Sequence, residues 1–326
     1  MAVNAGVLGA VPRRIKQTRT GPDRVFRGVS TGAGLTTLVI LVLIGGFLVA
    51  RSLPAFQQAG TSFFTTLKWQ PDGTTHHFGI VALLYWTVII ALIALVIAVP
   101  VSIACALFIN EYAPRLVRNW LRGLVDLLAA IPSVIYGIWG LIFLEPLLVQ
   151  VSKWMTANLG GVPIFATVNT NFAGSAFVVG VVVSLMVVPI CTSVMREVFA
   201  QAPAGEKEAA LALGSTKWGM IRTVVIPFGR GGIVGGSMLG LGRALGETIA
   251  VALVVSPIFT VSPQILQSGA NSIAAHIALQ FSEASPQLGI PGLMAAGLTL
   301  FGVTLVVNFL ASMIVARSRS GSGVEL

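Results

Sequence analysis

The sequence predicts an all-α polytopic membrane protein with six transmembrane helices, and three observations carry that prediction. Of 326 residues, 55% are hydrophobic and only 10% charged, with a mean hydropathy of +0.90, far below the roughly 25% charged residues of soluble domains. Six apolar runs reach the ~20 residues that a helix needs to cross the hydrocarbon layer. Lys and Arg gather in alternate connections between those runs, as they do on the inner side of a membrane. A net charge of +9 does not point to nucleic acid, because the basic residues sit at run ends and in one N-terminal block, with no aromatic-interleaved patch. The two cysteines, Cys105 and Cys191, lie inside apolar runs, so they read as small buried hydrophobes rather than a disulfide framework, and no redox compartment follows.

Residues 1–30 carry Arg13, Arg14, Lys16, Arg19, Arg24 and Arg27 against Asp23 alone and form a basic tail. The run at 31–53 leads on to Pro54 without a small-residue cleavage site, so it is read as an uncleaved first span. The other spans are expected at 79–109, 121–149, 172–199, 229–255 and 290–316, giving a membrane domain over 31–316 and a second tail at 317–326. Six spans place both termini on one side. The basic tail, Arg115 and Arg118 in the next connection, Lys207, Lys217 and Arg222 in the 200–228 connection, and Arg317 and Arg319 make that side the cytoplasm. On the opposite side the 256–289 loop contains no Lys or Arg. Short helices are expected there at 52–66 and 272–281, and His76, His77 and His276 are expected to be solvated, with no metal site.

Two spans are longer than a membrane requires. The second is expected to continue past Pro100 as a kinked or tilted helix. Residues 110–122, NEYAPRLVRNWLR, are expected to run along the cytoplasmic surface, with Leu116, Trp120 and Leu121 toward lipid and Arg115, Arg118, Asn119 and Arg122 toward headgroups or a partner. In the third span, Ile131-Pro132-Ser133 is expected to break the helix ladder in mid-span, because Pro132 removes a donor and its ring clashes with the preceding turn. The freed backbone groups then need Ser133 or a neighbouring helix.

Residues 203–218, PAGEKEAALALGSTKW, are too polar to cross lipid yet lie between two runs that do. Glu206, Glu208, Ala209, Ala210, Leu211 and Ala212 are good helix formers after a proline. Gly214 stands where a left-handed C-cap would end the helix, and Ser215 or Thr216 can open the next. A helix, a bend and a second helix lying across a membrane face follow. In the fifth span, Gly232, Gly236 and Gly240 recur every fourth residue, the spacing that lets helices approach closely in lipid. The later GLGRALG is not a dinucleotide fingerprint, since its spacing differs and no strand precedes it.

Arg243 and Glu247 are four residues apart, which in an unbroken helix places both on one face. Each ionised group near the bilayer centre costs roughly 2.5–3.5 kcal/mol on insertion scales, so neither faces lipid. Two readings explain them: a structural ion pair, or a polar patch on a translocation path where Arg243 offers a planar, permanently charged donor set to a tetrahedral oxyanion and Glu247 orients it or gates it.

Glu208-Ala209-Ala210, Gly214 and Ile226-Pro227 together resemble the EAA loop of ABC importer permeases, here about 203–227, with Ile226 standing where that family more often has leucine. Together with NEYAP at 110–114, IPSVIYGIWGL at 131–141 and LGLGRALGETIAV at 239–251, the chain is similar to the phosphate-specific (Pst) ABC importer permeases, of the PstC type more than the PstA type, over essentially all of 31–316. That resemblance implies a type I importer fold in a bacterial plasma membrane and import of inorganic phosphate. It also implies a second, PstA-like permease, an ATPase dimer docking at Glu208, Ala209, Ala210 and Gly214, and an extracytoplasmic phosphate-binding protein. In the family, the Arg and Glu of this stretch are associated with phosphate passage, which the resemblance places at Arg243 and Glu247. ATP and Mg would act in the partner ATPase and no cofactor on this chain. None of Lys16, Lys68, Lys153, Lys207 and Lys217 follows a glycine, as a P-loop requires, so this chain is expected not to be an enzyme. Permeases for sulfate or molybdate, and an ion-coupled secondary carrier, are the alternatives.

Overall fold

The computed structural model describes residues 21–72 and 76–319, and among them thirteen α-helices and no β-sheet. The expectations for residues 1–20 and 320–326 lie outside the described residues. The chain divides into two compact units, Met1–Phe47 and Leu48–Leu326. The described part of the first is the opening of α1 (Gly21–Ala59), which begins ten residues before the expected span. In the second unit the chain runs through α2 (Val81–Leu107), α3 (Arg115–Ala130), α4 (Ser133–Trp139), α5 (Glu145–Leu159), α6 (Ala176–Ala200), α7 (Ala204–Ala212), α8 (Lys217–Met220), α9 (Ile226–Phe228), α10 (Arg230–Gly246), α11 (Ile249–Val254), α12 (Ile273–Gln280) and α13 (Gly289–Arg319). Among the described residues five helical stretches are long and apolar enough to cross a membrane, and six if the pair Lys217–Phe228 and Arg230–Gly246, bent by 66°, is one broken span.

The core is a helix pair with a third helix laid on it. On α6, Val179, Val183, Val187, Cys191, Met195 and Phe199 form a buried row spaced four residues apart. Against that row α2 presents Ala91, Ala94, Ala98, Ser102 and Ala106, small residues on one face that let the backbones approach. Ser102 Oγ donates to the Val188 carbonyl across the seam at 3.0 Å. The same row of α6 is met by α10, which sets against it a fourth-residue row of glycines. A Cβ at Gly240 would lie 2.6 Å from Cys191 Sγ, and one at Gly232 would lie 2.5 Å from Val198 Cβ. Contact this close leaves no room for a side chain, so dispersion along the backbone holds the pair where lipid supplies no hydrophobic drive.

Three boundaries differ from the sequence expectation, each for a local reason. The 110–122 segment is not one helix: a π-helical turn, Phe108–Tyr112, ends at Ala113-Pro114, and α3 then continues to Ala130. Pro132 therefore stands not in mid-span but between α3 and a continuous helical stretch, Ser133–Leu159. Ile131 is extended there (φ −64°, ψ 130°), as the residue before a proline prefers. Near the end of α3, Leu128 O accepts from Ile131 N–H at 3.3 Å and from the Tyr136 hydroxyl at 2.9 Å. The fifth span likewise ends early, at Gly246.

The 256–289 segment is a packed cap over the ends of α2 and α13. Trp86 Nε1 donates to Thr260 O and Tyr85 OH to Ser262 O, both at 2.8 Å. Thr87 Oγ1 accepts from Ile273 N at 3.0 Å, and Ser272 caps α12. His276 corrects the expectation of a solvated histidine: it is 2% exposed, with ring centroids 4.7 Å from Trp69 and 5.4 Å from Phe259. Helical spacing within α12 carries it into an aromatic cluster with Phe63 and Phe78.

Burial pushes the His276 imidazole down to about 4, below its ordinary value near 6.5. The folded cap thus binds fewer protons than the opened one between those values, so its stability is complete above pH ~6.5 and falls as pH drops toward 4. The cap is expected to become several-fold more accessible to hydrogen exchange between pH 7 and pH 4.5. His276→Leu should abolish that dependence; a cap equally protected at both pH values would contradict it.

Candidate functional site

Two features stand out, an exposed loop that follows α6 and a charged recess along α10. The loop is built by α7 and α8. Gly214 takes φ +83°, Gly214 N–H bonds Leu211 O at 3.0 Å and Ser215 N–H bonds Ala210 O at 3.2 Å. That pair of bonds closes a Schellman cap, and a positive φ is where glycine is favoured over any residue bearing a Cβ. Thr216, rather than Ser215, opens α8, its Oγ1 accepting from Gly219 N at 3.1 Å. Glu208, Ala209 and Gly214 are exposed and Ala210 half-buried. Beside them Leu213 is 89% and Trp218 56% exposed, so the loop shows a mixed acidic and apolar surface.

What holds this loop is the NEYAP turn that follows α2. Lys207 Nζ meets Glu111 Oε1 at 2.6 Å, with side chains 20% and 9% exposed. Lys217 Nζ lies 4.6 Å from the Tyr112 ring centroid, within cation–π range. Asn110 Nδ2 donates to Arg196 O near the end of α6 at 2.6 Å. One turn thus joins α2, α6, α7 and α8, a role that the spacing of NEYAP does not reveal, since its partners lie about a hundred residues away. Glu111→Gln removes the carboxylate from a mostly buried pair and is expected to speed proteolysis within residues 201–220 several-fold. The reversed pair, Glu111→Lys with Lys207→Glu, should slow it again; a loop equally resistant in the single variant would show that the pair does not anchor it.

The recess, of about 480 Å³, is lined by Ile190 of α6, Met238, Leu239, Gly242 and Arg243 of α10, and Thr304 and Asn308 of α13. Arg243 is half-buried, and its Nε is enclosed without a hydrogen-bond partner. Asn308 was not singled out from the sequence, although an asparagine inside LTLFGVTLVVNFLA is the kind of polar interruption that marks a functional position in a span. Its Oδ1 would lie 3.7 Å from a Cβ at Gly242.

Arg243 and Glu247 do not share a helical face, contrary to the expectation from their spacing. α10 ends at Gly246, Glu247 is extended (φ −67°, ψ 126°), and the helix resumes at Ile249. The i, i+4 rule requires an unbroken ladder, which Gly246 and the β-branched Thr248 do not sustain here. Glu247 is 8% exposed and forms no ion pair with Arg243; the ion pairs among the described residues include Arg196–Asp126 and Lys207–Glu111. Among the described residues no three His, Cys, Asp or Glu side chains come together in a metal-binding group.

A family model described as "Binding-protein-dependent transport system inner membrane component" matches residues 98–320. The chain is 39% identical over 302 residues to "Phosphate transport system permease protein PstC 2" of Mycobacterium tuberculosis, covering 92% of this chain and 93% of that one. It is 40% identical over 306 residues to "Phosphate transport system permease protein PstC" of Mycobacterium leprae, covering 93% and 94%. Among solved structures it resembles a chain of a bacterial ABC transporter involved in the import of the acidic polysaccharide alginate, with a TM-score of 0.56, 18% identity, and coverage of 90% of this chain and 99% of that one. That likeness is one of fold.

Proposed function

This chain belongs to the binding-protein-dependent transport system inner membrane component family, and on that premise we propose that it is the PstC-type permease subunit of an ATP-driven importer moving inorganic phosphate into the cytoplasm. The observation that carries the substrate is Arg243: a permanent cation with an unpartnered donor faces a recess between α6, α10 and α13 that is otherwise mostly apolar, in a chain whose curated relatives are phosphate permeases. A guanidinium offers several donors in a plane, matching two oxygens of a tetrahedral anion and replacing part of its lost hydration. Asn308 and Thr304 add neutral polar groups on the facing helix. Glu247, four residues on at the break between α10 and α11, disfavours a resting anion near this cation, as a gate does.

The remaining assignments follow from the same reading. The α7–α8 loop, with Glu208, Ala209, Ala210 and Gly214, docks one subunit of an ATPase dimer, where ATP and Mg act. This chain lacks the Gly-Lys pair of a phosphate-binding loop and is a transport subunit, not an enzyme. A PstA-like permease completes the path and an extracytoplasmic phosphate-binding protein delivers the anion. Both termini face the cytoplasm, and Gly232, Gly236, Gly240 and Pro132 serve packing and helix breaking.

The test is uptake of labelled phosphate and labelled sulfate in a cell that lacks this chain but retains its ATPase. Phosphate uptake should disappear and sulfate uptake persist; the opposite pattern would overturn the substrate assignment.

A further inference from the structure

Where α3 packs on α6, Arg196 of α6 meets the one carboxylate of a face of α3 that also carries two arginines. Arg118, Arg122 and Asp126 follow one another at four-residue intervals on α3 and so stack along one face. Asp126 Oδ1 reaches Arg196 Nη2 of α6 at 3.4 Å, a long contact in which the aspartate side chain is 56% exposed. Arg118 Nη2 donates to Ala113 O at 3.3 Å. Arg118 Nε, Arg122 Nε and Arg196 Nη1 are all enclosed without a hydrogen-bond partner. Arg118 and Arg122 are both half-buried. Guanidinium groups stay charged at any physiological pH, and enclosed donors that lack an acceptor cost free energy. The seam thus carries an excess of positive charge and of unmet donors.

The other face of α3 says where the seam lies. Leu116 is 91%, Trp120 72% and Leu127 65% exposed, the pattern of a helix lying in a membrane interface with its apolar side in lipid. Its cations then stand at headgroup depth. We propose that Arg118, Arg122 and Arg196 form a binding site for a phosphate-bearing anion, the chemistry shared by the headgroup of an acidic lipid and free inorganic phosphate. The site is separate from the Arg243 recess: Arg196 is six residues beyond Ile190, about 9 Å along α6. An anion held there links α3 to α6 and braces the Ile131-Pro132 break through which α3 feeds the next span. The lipid source is independent of the substrate assigned above; the free-phosphate source rests on it.

The test uses the transporter purified with its partner subunits in nanodiscs of uncharged phosphatidylcholine, followed by its thermal unfolding midpoint. Phosphatidylglycerol is titrated at fixed ionic strength in one arm. Inorganic phosphate is titrated in the other, in an Arg243→Gln background so that the recess does not contribute. A saturable rise is expected in at least one arm, and that arm identifies the source. Arg122→Gln should shift the titration by at least about tenfold, the loss of roughly one charge-assisted contact, and Arg122→Lys by less. Should Arg122→Gln not assemble, Arg118→Gln is read in its place. A midpoint that neither titrant moves, or titrations in these variants that coincide with the wild type, would overturn the site.

Discussion

Arg243→Gln is expected to leave the assembled transporter at near-normal abundance while lowering phosphate uptake roughly thirtyfold or more. The abundance follows from geometry: Arg243 forms no ion pair with Glu247 and borders an open recess, so a neutral polar side chain strands no buried partner and stays hydrated. The loss of flux follows from chemistry. A hydrogen bond involving a charged group contributes about 1.5–3 kcal/mol, and each 1.4 kcal/mol is tenfold in an equilibrium. Lysine should recover part of the flux, since it keeps the charge but not the planar fork. The exchange Arg243→Glu with Glu247→Arg separates path from scaffold: a structural pair would be restored by it, whereas a path would carry a carboxylate in the anion's place and remain inactive. Abundance and ATP-dependent uptake measured together decide this, and an active exchanged pair would refute the path assignment.

Gly214→Val should lower ATP-driven uptake by at least about tenfold without preventing membrane insertion. A Cβ at Gly214 meets nothing within 4 Å, so crowding is not the reason. The backbone is: φ is +83°, and a left-handed conformation costs an L-residue roughly 1–2 kcal/mol, more for a β-branched one. Relieving that strain opens the Schellman cap and re-aims α8 with Trp218, away from the orientation in which the loop is proposed to dock the ATPase. Gly214→Asn provides the control, because asparagine tolerates the left-handed region and should retain most activity. Uptake that is equal in the valine and asparagine variants would remove the bend from the coupling mechanism.

The α7–α8 loop and the glycine row of α10 were legible in the sequence because both are governed by interactions within a few residues. A left-handed cap needs glycine at one position, a helix start needs a hydroxyl, and a fourth-residue row needs only helical period. The partners were not legible. Nothing near Glu111 in the chain announces Lys207, and nothing in NEYAP shows that it ties four helices together. Asn308 carried a signal, a single amide in an apolar span, but its neighbour Arg243 lies on another helix. His276 shows the opposite failure: a histidine in a glycine- and serine-bearing loop resembles a solvated one until the loop is folded back over α2.

The all-α membrane class, the alternation of charge between apolar runs, the capped bend at Gly214 and the lack of a phosphate-binding loop were determined by the sequence alone, because hydropathy, helical period and backbone sterics act locally and survive any arrangement of the helices. Only the tertiary structure decided where those helices stop and what their polar residues meet. Pro132 became a junction rather than a kink because α3 ends at Ala130 and Ile131 before it is extended, and Arg243 and Glu247 parted because the ladder breaks at Gly246. In both cases the outcome turns on where a helix stops, which helical period alone does not set, and in a low-dielectric interior that decides where a charge can reside.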